Sequence, residues 1–179
     1  QVGFARPAIL GLQELLPTQK ADLEKALPGY RFVGVARDDG RNKGEYSAIA
    51  IDRKTFAVSS SGTFWLSPTP GSPSKGWDAA YTRIATWAHL VRRGDGHRIL
   101  ALNTHLDNEG AVARREGARQ IAGFLARHLL PGERIIVTGD FNAEPGSPPL
   151  GVLTASPLGL RDSRLAAREK IGPEGTFNA

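Results

Sequence analysis

A chain of 179 residues is about one domain's worth of sequence, and its 40% hydrophobic, 23% charged and 7% aromatic content excludes a disordered or fibrous polymer. Zero cysteines exclude a disulfide framework, thiolate metal ligands and cysteine nucleophiles together. The net charge of +5 favours anionic partners, yet the basic residues come in ones and twos (Arg92-Arg93, Arg114-Arg115), as on a solvated surface rather than a nucleic-acid patch.

Strands are predicted at 9–13, 32–36, 48–51, 56–59, 63–66, 84–91, 98–103 and 135–138, where apolar runs of strand length recur. A first helix is expected over 19–27, capped by Thr18 and ended by Pro28-Gly29. A second carries Ala118, Ile121, Ala122, Leu125 and Leu129 on one stripe and stops at Pro131-Gly132. Gly94-Asp95-Gly96 predicts an antiparallel hairpin between 84–91 and 98–103, which argues against a purely parallel sheet. Segments 67–76 and 145–149 read as surface loops. No apolar run approaches the ~18 residues needed to cross a bilayer. Gln1-Val2-Gly3-Phe4 has no signal-peptide pattern and the chain has no methionine, so further sequence is expected upstream; cytoplasmic and exported locations stay open.

Four polar groups stand at the ends of apolar strands, where side chains can converge on a shared mouth: Glu14, His105, Asp140 and Asn142. Leu12-Gln13-Glu14, Asn103-Thr104-His105-Leu106-Asp107 and Gly139-Asp140-Phe141-Asn142-Ala143 occur in an order and spacing that resembles the endonuclease/exonuclease/phosphatase superfamily. Gly40-Arg41-Asn42-Lys43-Gly44-Glu45-Tyr46 is similar to the segment of deoxyribonuclease I-like members that supplies a glutamate supporting the active-site histidine. Gly62 to Ser67, Gly76 to Ala80, Arg83 to Trp87 and Gly175 to Asn178 look like a bacterial branch of metal-dependent hydrolases. The resemblance implies one domain over 1–179, a four-layer α/β sandwich of two mixed, largely antiparallel sheets, with the site at one end.

It also implies hydrolysis of a phosphate ester, a phosphodiester rather than a monoester, with Mg²⁺ as cofactor and Mn²⁺ as a substitute. Such an ester repels nucleophiles and has a poor leaving group, so a hard cation and an oriented water are needed. Glu14 is the expected metal ligand, because Mg²⁺ takes one or two carboxylates and keeps several waters. Asp140 and Asn142 are expected at the attacking water, and His105, held and kept protonated by Glu45, at the phosphoryl oxygen. Asp107 is expected to orient the adjacent loop. Arg83, Asn103 and Asn178 are candidate substrate contacts, with a structural ion pair an equal reading for Arg83.

His89, His97 and His128 read as structural or solvated, and Trp65, Trp77 and Trp87 as core or loop anchors. Nucleic acid is an allowed substrate but not the favoured one over a lipid headgroup or small molecule, and a monomer is expected. The family pattern opens with an Asn in a first strand and closes with an Asp-His pair, and this chain has neither. That departure carries the alternative of a sandwich that lost the chemistry and serves as a binding or adaptor module.

Overall fold

Each long apolar run needs cover on one or both faces, and two stacked sheets with helices outside satisfy them together. A computed structural model of the chain describes residues 5–169. The elements are β1 (Ile9–Leu15), α1 (Pro17–Ala26), β2 (Tyr30–Val33), β3 (Tyr46–Asp52), β4 (Phe56–Trp65), β5 (Ile84–Arg92), β6 (Arg98–His105), α2 (Ala111–His128), β7 (Glu133–Asp140), α3 (Pro148–Thr154) and α4 (Ser163–Ala166). One sheet has the order β1-β3-β2 and the other β4-β5-β6-β7. The first is wholly antiparallel, so only the second is mixed, through the parallel pair of β6 with β7.

Strand alternation builds the layers. On β3, Tyr46 and Ala48 pack with Leu15, Ala36 and Leu23 of α1, whereas Ile49 and Ile51 meet Val33, Phe56, Ala88, Leu90 and Ala101 between the sheets. Leu100 and Leu102 of β6 turn outward against Ile121 and Leu125 of α2. The central β3, covered on both faces, therefore reads as an apolar run over 48–51.

Several boundaries differ from the sequence reading for physical reasons. Segments 56–59 and 63–66 are one ten-residue strand, β4, with an irregularity between Val58 and Ser60. It lies at the sheet's edge, so its serines face water without ending it. The 32–36 strand begins earlier and stops at Val33, and Ala36 makes only an isolated bridge to Tyr46. Thr18 does not cap α1: Leu16 is the N-cap, and the Gln19 side-chain oxygen accepts the Leu16 N–H at 2.9 Å. The 145–149 loop runs into α3, whose first turn tolerates Pro148 and Pro149 because its N–H groups lack helical acceptors anyway. The start of α2 is capped from a distance, with Asp78 accepting the N–H groups of Val112 and Ala113 at 3.1 and 2.7 Å.

The 92–97 hairpin forms as read, closed by Arg92 N–H donating to the His97 carbonyl at 2.8 Å. His89 sits in a buried pair with Glu133, His97 beside Asp95 in the hairpin, and His128 against the Phe124 carbonyl. Among the described residues no helix is long and apolar enough to cross a membrane. Leu125 is fully buried between α2 and the second sheet. Leu125→Ala is expected to lower unfolding free energy by about 2–5 kcal/mol in a urea titration, through lost burial and the cavity left behind.

Candidate active site

Topology gathers one end of the sandwich. β1, β6 and β7 finish there while β3 and β5 start there, because β1 runs antiparallel to β3, β5 antiparallel to β6, and β6 parallel to β7. Glu14, His105, Asp140 and the residues before β3 and β5 share that end, and Glu14, Arg37, Glu45, Arg83 and His105 line one recess.

A bulge in β1 aims Glu14. Leu12 pairs with Ala48 but Leu15 with Tyr46, so β1 carries one residue more than its partner. Leu15 thereby turns to the outer cluster, and Glu14 is left exposed at the mouth with φ +54°. No hydrogen bond or ion pair to Glu14 is formed among the described residues, although its charge acts on His105.

β7 delivers the next pair. His105 and Asp140 are register partners, with His105 Nε2 3.8 Å from Asp140 Oδ2. Gly139 permits this closeness, since a Cβ there would collide with the Thr104 carbonyl oxygen. Asp140 Oδ1 accepts the Asn142 N–H at 2.9 Å, and the Asn142 side-chain amide donates to the Leu106 carbonyl at 2.9 Å. That turn holds Asn142 at φ +44°, a conformation Asn tolerates better than most residues.

The surroundings of His105 differ from expectation. Glu45 does not hold it: Glu45 Oε2 accepts from Arg37 Nη1 at 2.6 Å, and His105 Nδ1 is buried with no hydrogen-bond partner among the described residues. Its surroundings also oppose protonation of the imidazole. Burial pushes its pKa below the ordinary value and the Arg83 guanidinium adds to this, against a smaller pull from Asp140, Glu14 and Glu45.

Arg83 takes the structural alternative, donating to Asp107 at 3.1 Å and Asn108 at 2.8 Å while still lining the recess. Asp107 accepts the N–H groups of Ala80, Tyr81, Glu109 and Gly110, so it does tie down the neighbouring loops. Burial alone would raise its pKa, but the Gly110, Ala80 and Tyr81 N–H groups and Arg83 carry it well below the carboxylate range.

Asn103 is not at the surface to meet substrate. It is fully buried, donating to the Leu12 and Ala48 carbonyls at 3.0 Å each and accepting from Gln13 at 2.6 Å and Thr138 at 2.9 Å. Asn178 lies outside the described residues.

Among the described residues no three acidic or histidine side chains gather closely enough to cage a metal. The donor set still fits Mg²⁺: Glu14, with no side-chain partner among the described residues, and Asp140 offer hard oxygens at a water-accessible mouth.

The family model described as "Endonuclease/Exonuclease/phosphatase family" matches residues 3–177. The chain belongs to the endonuclease/exonuclease/phosphatase family. A family protein from Bacteroides vulgatus is 37% identical with a TM-score of 0.88, the match covering 93% of this chain and 64% of that one. Another from Bacteroides thetaiotaomicron is 39% identical with a TM-score of 0.82, covering 86% and 56%. A mannosyl-6-phosphatase of Bacteroides thetaiotaomicron is 38% identical with a TM-score of 0.82, covering 86% and 58%. This chain thus spans 56–64% of the length of these relatives. Comparison with curated proteins gives no match.

Two residues at this end of the sandwich, Arg37 in the recess and Tyr81 beside it, escaped the sequence reading. Arg37 faces Glu45 because 37–45 is a tight turn: Arg37 N–H donates to the Glu45 carbonyl at 3.0 Å and Asp38 N–H to that of Lys43 at 3.0 Å. The turn composition Asp38-Asp39-Gly40 to Gly44 was the available signal. Tyr81, 49% exposed, has the Arg37 and Arg83 guanidinium carbons 5.2 and 5.5 Å from its ring centre. Nothing in its sequence context marks it.

Glu14→Gly is expected to raise unfolding free energy by about 1 kcal/mol, since glycine adopts positive φ freely; chemical denaturation reads this. Asp107→Asn is expected to cost about 3–5 kcal/mol by leaving Arg83 buried without its counter-charge. Because the folded pKa of Asp107 is depressed, its contribution is full above the unfolded value of about 4 and lost as pH falls below it. The variant's denaturation midpoint should therefore fall less steeply on acidification than the wild type's.

Proposed function

We propose that this chain carries the active site of a divalent-metal-dependent hydrolase of phosphate esters, with Mg²⁺ as the ion and Mn²⁺ as a substitute. The observation that supports it most is the convergence of the unpartnered carboxylate of Glu14 with His105, Asp140 and Asn142 at one end of a sandwich of this family. Glu14, with Asp140 beside it, would hold the ion, which supplies charge neutralisation at the phosphoryl group.

The residues of the chain do the rest. Asp140, whose other oxygen is turned by the Asn142 N–H, orients a water and accepts its proton. Asn142, fixed to the Leu106 carbonyl, holds its position without adding negative charge near the phosphate. His105 Nε2, facing Asp140, hydrogen-bonds a phosphoryl oxygen. Arg83, anchored by Asp107, keeps a fixed positive charge at the same mouth. All these groups come from one chain, so a monomer suffices.

For the substrate, the sequence reading expected a diester without a motif that chooses it. The 38% identity to a mannosyl-6-phosphatase over 86% of this chain favours a sugar phosphate monoester, and that is the class proposed. The test is a Mg²⁺-dependence assay on a sugar 6-phosphate and on bis-p-nitrophenyl phosphate. The monoester is expected to turn over faster, EDTA to abolish turnover, and Glu14→Gln and Asp140→Asn each to lower kcat by about 10²-fold or more. Equal activity in wild type and both variants would overturn the site assignment.

A further inference from the structure

Among the described residues two buried polar atoms, His105 Nδ1 and Arg37 Nε, have no hydrogen-bond partner, and both residues line the recess together with Glu45. Buried donors and acceptors in folded proteins are almost always paired, so two unpaired atoms on residues lining one recess point to a polar partner supplied from outside the chain. The side chain of His105 is only 8% exposed, so bulk water does not relieve its nitrogen.

Arg37 is built to meet an anion. Its backbone is pinned from two sides: its N–H donates to the Glu45 carbonyl at 3.0 Å, and its own carbonyl accepts from the Trp65 indole at 2.7 Å. Its guanidinium lies over Tyr81, yet of its five N–H donors only the Nη1 bond to Glu45 is a hydrogen bond, with Asp38 3.8 Å from Nε. Donors in a planar fork with spare capacity suit the paired oxygens of a phosphoryl group. Glu45 lines the same recess as His105, and its carboxylate accepts from Arg37.

We infer that Arg37 is a substrate-binding and positioning residue: the phosphoryl group of the substrate takes over the Arg37 guanidinium, and the released Glu45 carboxylate then accepts a hydrogen bond from His105 Nδ1. The imidazole is oriented only when substrate is present. This rests on the phosphate-ester reading above.

The test combines ¹⁵N-histidine NMR with kinetics. In wild type with Mg²⁺, adding inorganic phosphate is expected to bring up a downfield, hydrogen-bonded Nδ1 proton on His105. Arg37→Met should show that proton without phosphate, and Glu45→Gln should lack it in either state. Arg37→Met is expected to raise KM by about tenfold or more with kcat within about threefold, and Glu45→Gln to lower kcat at unchanged KM. Arg37→Lys, should Arg37→Met fail to fold, is expected to show an intermediate KM.

An Arg37 variant with wild-type KM, or a His105 Nδ1 signal indifferent to both phosphate and Arg37, would overturn the inference. Hydrolysis that depends on Glu14 but lacks these signatures leaves the proposed function standing and removes only this step. Absence of turnover on every ester would sink that function, while the phosphate titration still reads Arg37 and His105.

Discussion

The side chain of Asn103 fixes the frame on which the site depends. Apolar contacts between two sheets are non-directional and tolerate small slides, whereas an amide with both donors and both acceptor sites engaged does not. Asn103 on β6 is joined to Leu12 and Gln13 of β1, Ala48 of β3 and Thr138 of β7. Each site residue follows closely in sequence: Glu14 directly after Gln13, His105 two after Asn103, Asp140 two after Thr138. Gly11 makes the room, for a Cβ there would collide with Asn103 Oδ1 and Thr138 Oγ1. One buried polar cluster thus sets the distances among three strands from both sheets.

Beyond that frame, charge is distributed by pairing. Of the carboxylates near the mouth, Asp107 is matched by Arg83 and Glu45 by Arg37. Glu14 and Asp140 form no ion pair with arginine or lysine among the described residues. The two unmatched charges are those that a divalent cation would neutralise, and the two matched ones keep arginines at the mouth without drawing metal away. Burial and Arg83 push the pKa of His105 below its ordinary value, against the pull of the nearby carboxylates. A site so divided needs no closed cage of ligands, consistent with an ion that keeps most of its waters.

Much of this was legible in the sequence. Glu14, His105, Asp140 and Asn142 were visible because each ends an apolar run, and a strand end is a place the sequence marks. The layers came from the family resemblance, and β6 shows their physical basis, with Leu100 and Leu102 facing α2 and Ala101 facing the other sheet. Pairings between distant segments were not. Asp78 capping α2, Arg37 taking Glu45 from His105, and Asn103 turning inward all depend on which side chain arrives first at a shared partner, which local periodicity does not encode. Asn103 is instructive: the sequence reading made it a candidate substrate contact, yet it is the strut behind the site because four complementary partners meet there.

Glu14 shows how local strain and the frame work together. A non-glycine residue at φ +54° is disfavoured, and nothing bonded to its carboxylate among the described residues compensates. Its neighbours hold it instead: Gln13 is bound to Asn103, and Leu15, 5% exposed, is locked in the cluster with Ala36, Tyr46 and Ala48. With both neighbours fixed, the bulge has one residue too many, and that residue must point into the mouth. Relaxing the bulge would restore strict alternation and turn Leu15 inward, out of its cluster. The packing of Leu15 and the bond of Gln13 are therefore what keep an unpartnered carboxylate facing His105, and the strain at Glu14 is the local cost of that orientation.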